Sequence, residues 1–119
     1  MEPVAEFLLT LLHSVTNAHL AHWSTQSYAQ HVALGEFYDE LQDLTDSLAE
    51  QIMGKYEQII TFPTFYVPFA GQPEEELKHL SEYVMQQRTA LPQDSEIQNS
   101  VDSIADLIDS TLYKLRFLK

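Results

Sequence analysis

The sequence predicts an all-α chain folded as a four-helix, up-and-down bundle with a long crossover between its second and third helices. Three observations carry that expectation. Apolar residues recur at three- and four-residue spacing through four separate segments. The first and third connections are short and polar, whereas the second is long and aromatic. The 119 residues are 45% hydrophobic, enough for one domain with a single core and too apolar for a disordered chain.

The first helix is expected from Pro3 to about Trp23. Proline suits a first helical turn, and Val4, Phe7, Leu8, Leu11, Leu12, Val15 and Ala18 follow at helical spacing. "STQSY" is a polar connection. The second helix should open near Tyr28, with Leu34, Phe37, Tyr38, Leu41, Leu44, Leu48 and Ile52 on its apolar side and Gly54 as its stop. "KYEQIITFPTFYVPFAGQ" reads as an ordered crossover, too apolar to extend into solvent. The third helix begins at Pro73, and Glu74, Glu75 and Glu76 suit the positive end of its dipole. "LPQDSE" breaks it. Ser95 and Gln98 have the spacing of a capping box for the fourth helix. That helix carries Ile97, Val101, Ile104, Ala105, Ile108, Leu112 and Leu115 as its stripe. Short links make antiparallel neighbours, and a long second link leaves the second and third helices parallel. This is a ferritin-like layout.

Composition narrows the function. Eighteen acids against six bases give a formal charge of −12, which disfavours nucleic-acid binding. The absence of cysteine removes disulfides, thiolate metal sites and thiol nucleophiles. No apolar run approaches a membrane span, and "MEPVAEFLL" lacks the positive charge of a secretory leader. A cytoplasmic protein is the expectation. An acidic surface also concentrates cations. No Gly-rich phosphate loop is present, and no serine has a positioned base.

The residues that could carry chemistry cluster around the first connection. Counting about 100° per residue, Asp39, Asp43, Asp46 and Glu50 lie roughly 140–180° from the apolar centre of the second helix. They point to water or to another subunit. Such a stripe is most often a solvated face. Its acids repel one another, and a cation among them would relieve that. His19 and His22 sit near the apolar side of the first helix, and His31 lies between the faces of the second. A lone histidine there would be a neutral ring bonded to a carbonyl; three around one turn also suit a metal. Oxygen-rich, cysteine-free ligand sets favour iron or manganese and tolerate zinc. His13 is expected to be exposed. His79, Asp102, Asp106 and Asp109 are expected to be solvated, and Trp23 to be a packing anchor at a dimer seam.

"AHW" at Ala21–Trp23, then His31, then Asp46 and Glu50 one turn apart, resembles the Dps miniferritins of the ferritin-like superfamily. The intervals His31–Asp46 and Asp46–Glu50 match that family's. The resemblance implies a metal site shared across a two-fold dimer interface, with His22 and His31 from one chain and Asp46 and Glu50 from its mate. His19 is an extra candidate. Gly35 stands where Dps proteins have an acid one turn after the histidine, with Glu36 and Asp39 as candidate substitutes. The basic arm that Dps proteins use on DNA is absent. The match spans the first two helices; the last two agree only in pattern. Small ferritin-like phage proteins look similar across "HSVTNAHLAHWSTQSYAQH".

Two functions follow. One is a Dps-like, non-DNA-binding protein that oxidises and sequesters Fe(II) in a homo-oligomer, a dimer at minimum, with a dodecameric shell as one form it could take. The other is a non-catalytic ferritin-like structural or interaction protein, with a structural metal or none. Gly35 favours the second, and the His22–His31–Asp46–Glu50 spacing the first.

Overall fold

Pro3 sits in the first turn of α1 (Glu2–Ser24), where its missing N–H would have had no intrahelical partner. The computed structural model describes residues 1–119. The link Thr25–Ser27 is short because Ser27 immediately caps the next helix, its Oγ accepting from Gln30 N at 3.2 Å. The second helix, α2, runs Tyr28–Tyr56, then α3 spans Pro73–Gln87, a 3₁₀ turn follows at Arg88–Ala90, and α4 spans Ser95–Phe117. The all-α, four-helix bundle is as expected. No helix is long and apolar enough to cross a membrane.

Two termini differ from expectation. Gly54 does not stop α2, which runs on to Tyr56. The last turn is held from outside: Lys55 Nζ reaches Glu96 at 2.9 Å and Asp94 at 3.5 Å, and the Tyr56 hydroxyl donates to Asp94. A single helical glycine costs only roughly 1 kcal/mol, which does not by itself end a helix. The stop is Glu57, the chain's single non-glycine residue with positive φ (52°). A left-handed backbone strains an L side chain, so Glu57→Gly is expected to stabilise the protein by about 0.5–1 kcal/mol in urea unfolding. The capping box is also corrected. Asp94, not Ser95, is the N-cap of α4 and makes no side-chain cap bond. Gln98 is drawn away: its Nε2 donates to the carbonyls of Arg88 (3.1 Å) and Pro92 (3.0 Å), and its Oε1 accepts from Arg88 Nε at 3.0 Å. Asp102, expected to be a free surface charge, accepts from Arg88 at 2.6 Å.

The helices pack α1 on α2, α2 on α4 and α4 on α3, with a slighter contact closing the ring between α1 and α3. One core fills the centre. Phe7, Leu8 and Leu11 of α1 meet Phe37, Leu41, Leu48 and Ile52 of α2, Leu77 and Val84 of α3, and Ile97, Ile104 and Ile108 of α4. Pairs at the helix ends set the directions. Lys55 near the end of α2 meets Glu96 at the start of α4, and Lys114 near the end of α4 meets Glu36 near the start of α2, so these two run antiparallel. Arg116 with Glu74 and Arg88 with Asp102 do the same for α3 and α4.

Residues 58–72 form no regular element and lie along α1. His13 Nε2 donates to the Phe65 carbonyl at 3.0 Å. Asn17 Nδ2 donates to the Val67 carbonyl at 2.9 Å, and Tyr66 donates to Asn17 Oδ1. His13 is therefore half-buried rather than exposed, because this segment packs edge-on against its ring.

The Tyr56–Asp94 bond, with Lys55 beside it, holds the Asp94 carboxyl below its ordinary range, and the Lys55 bond does the same for Glu96. Depressed carboxylate pKa values give stability that is present above the unfolded values and lost as pH falls through the folded ones. Protection factors against hydrogen exchange at the α2 C-terminus and α4 N-terminus are expected to fall as pH drops through the carboxylate range. In Asp94→Asn that acid sensitivity should shrink.

Candidate metal centre at the first interhelix turn

The short 25–27 link brings the last turn of α1 against the first turns of α2, and so brings His22 against His31. Their rings stack with centroids 3.7 Å apart and planes 15° from parallel. The bonding is reciprocal. His22 Nδ1 lies 2.5 Å from the His31 carbonyl, and His31 Nδ1 lies 2.7 Å from the His22 carbonyl. A carbonyl can only accept, so each Nδ1 donates its proton there, and Nε2 is the nitrogen of each ring left without a partner. The His22 carbonyl belongs to the last turn of α1, where carbonyls lack intrahelical partners. The His31 ring thus caps α1, while the His22 ring ties back to α2.

His22 is seated on Gly35. A Cβ at position 35 would stand 3.0 Å from His22 Cε1 and 3.2 Å from its Nδ1. The imidazole fills the space where a side chain would begin. The glycine that departs from the Dps pattern is therefore matched to its neighbour. It is one helical turn beyond His31, on the side of α2 that faces α1. His19 is held separately, stacked on Tyr38 at 4.1 Å and against Trp23 at 4.5 Å. Both Gly35 and Tyr38 carry roles that spacing alone did not reveal. A glycine amid strong helix formers was the available signal.

The expected acidic ligands are elsewhere in this chain. Asp39, Asp43, Asp46 and Glu50 are exposed on the outer face of α2 and have no ion-pair partner. At 1.5 Å per residue, Asp46 lies about 22 Å along the helix from His31. Glu36 is taken by Lys114 at 2.9 Å. No group of three or more His, Asp or Glu side chains converges within the chain. The two stacked rings also fit one ion poorly. Nitrogen lone pairs lie in the ring planes, and planes so nearly parallel meet on the order of 10 Å away, against ~2 Å for a metal–nitrogen bond.

A bundle with a self-satisfied histidine stack at one hairpin is the class of molecule this geometry defines. The chain belongs to a family of unknown function, DUF5856, whose model matches residues 22–115. It is similar to an uncharacterized 14.6 kDa protein encoded in the mobD-ri intergenic region of Enterobacteria phage T4. The two are 29% identical over 114 residues, which cover 95% of this chain and 84% of the phage protein. No solved structure matches the chain. The likeness to a phage protein thus has a counterpart, whereas none of these matches points to a ferritin or Dps protein.

Proposed function

We propose that this chain is a non-catalytic, ferritin-like structural or interaction protein whose histidine pair locks the α1–α2 hairpin without a metal. The observation that carries this reading is the reciprocal Nδ1–carbonyl bonding of His22 and His31 over Gly35. Both Nδ1–H groups are held within the chain, no carboxylate joins the two rings, and position 35 leaves no room for one.

The packing supports a ferritin-like layout. The ring order is α1–α2–α4–α3, and α2 and α3 both oppose α4, so they run parallel. Residues 58–72 must then return along the bundle. Fully extended they reach roughly 50 Å, and the molecule is 44 Å long.

A second reading has one observation in its favour. The unpaired stripe of Asp39, Asp43, Asp46 and Glu50 would need a second chain to meet His22 and His31, as in a Dps-like site that oxidises Fe(II). Anaerobic titration with Fe(II), then Mn(II) and Zn(II), separates the two readings. The lock requires no saturable binding and no Fe(II) oxidation by peroxide above the buffer rate. Tight binding that disappears in Asp46→Ala with Glu50→Ala would establish the shared site instead.

A further inference from the structure

The charged residues of this protein are unevenly placed. All 24 Asp, Glu, Lys and Arg residues lie outside two stretches, 7–35 and 58–73. The first covers most of α1, the turn and the start of α2. The second is the segment that packs on α1 through His13 and Asn17. The fold therefore assembles both onto one side of the bundle. On that side Leu12, Leu20 and Trp23 form an exposed stripe along α1, with Trp23 67% exposed. Phe65, Tyr66 and Val67 lie exposed beside it, and His13 joins the two by touching both aromatic rings.

We infer that this uncharged face, α1 with the 58–72 segment, is where a second copy of the chain docks, in a two-fold pairing. The inference is independent of the histidine lock. The occupant follows from charge and area. Any second copy also carries −12, so two copies can meet closely only where neither presents a formal charge. A basic partner would be drawn to the acidic faces of α2 and α4 instead. At ~200 Å² per large side chain, the six apolar residues leave on the order of 500 Å² uncovered. With the uncharged neighbours Thr16, Ser24 and Thr64, that comes within reach of the ~800 Å² per partner of a stable dimer. A two-fold axis suits the pairing because the patch is self-complementary: apolar against apolar, with no charge to match.

Sedimentation of the full chain, from micromolar to submillimolar concentration at low and high salt, tests this. A dimer is expected, tighter at high salt because salt screens the repulsion between the acidic remainders. Trp23 is the single tryptophan, so its emission should shift to the blue and resist acrylamide quenching as dimer forms. Leu20→Glu with Val67→Glu should raise the dissociation constant at least about a hundredfold, with the circular dichroism unchanged. Trp23→Gln serves the same purpose if that pair unfolds. Ser103→Glu, on the exposed side of α4, should leave the dimer within about twofold. A monomer at all concentrations would overturn the inference. So would a dimer indifferent to both face variants, or one lost in Ser103→Glu.

Discussion

Gly35→Ala is expected to destabilise the protein by about 1–2 kcal/mol, and Gly35→Glu by about 2–3 kcal/mol. The sign is the informative part. A glycine inside an α-helix normally costs about 1 kcal/mol relative to alanine, so alanine at an open position stabilises. At position 35 the new Cβ would meet His22 Cε1 at 3.0 Å. The imidazole cannot move aside cheaply, because its Nδ1 is fixed to the His31 carbonyl and its face rests on the His31 ring. Yielding even a few tenths of an ångström would stretch the bond or part the stack. Glutamate adds a carboxylate to the same crowded place. Gly54, which has nothing within 4 Å of an added Cβ, is the internal control: Gly54→Ala should stabilise by about 0.5–1 kcal/mol. Thermal unfolding resolves these differences, at roughly 3–6 °C per kcal/mol for a chain of this length.

The second large effect concerns the histidines. His22→Ala or His31→Ala is each expected to cost about 2–3 kcal/mol, from one hydrogen bond to a carbonyl and one face-to-face ring contact. The double variant should cost more than either single one but less than their sum, because the ring stack is shared and lost once, whereas each ring's hydrogen bond goes to a backbone carbonyl that survives in the other variant. A coupling energy of about 1 kcal/mol or more in the double-mutant cycle is the expected reading. His22→Phe keeps a ring but loses the donor, and should recover only part of the loss. Additive single effects would show that the rings act separately.

Much of the fold was legible because helical periodicity reports burial directly. Phe7, Leu8, Leu11, Phe37, Leu41, Leu48, Ile97, Ile104 and Ile108 lie on the expected stripes and are buried. What escaped were features decided by partners remote in sequence. Gly54 is an ordinary stop signal, but Asp94 and Glu96 on α4 hold the turn beyond it. Ser95 and Gln98 have the right interval for a capping box, but Arg88 claims Gln98. His13 has the angular position of a solvent residue, but a segment some fifty positions later folds over it.

The candidate site was legible in part for the same reason. That His19, His22 and His31 gather at one turn follows from the length of the link, which the sequence shows. A ring bonded to a carbonyl is one of the two arrangements the cluster suggests, and both His22 and His31 make that bond. Which atoms face each other depends on how α1 meets α2, and spacing carries no such information. Gly35 looked like a missing ligand because a motif compares side chains position by position. In the folded chain it is the surface on which His22 rests.

The metal-free lock is tested most directly by the unfolding temperature of the protein stripped by chelator, measured alone and with excess Fe(II) under anaerobic conditions or with Zn(II). An ion held by the native state alone would stabilise it by about 2.7 kcal/mol at a hundred times its dissociation constant. The expected result is coincident unfolding curves for the stripped and metal-supplied protein, with His22→Ala lowering both equally. A rise of several degrees with metal, lost in His22→Ala or in Asp46→Ala with Glu50→Ala, would contradict it.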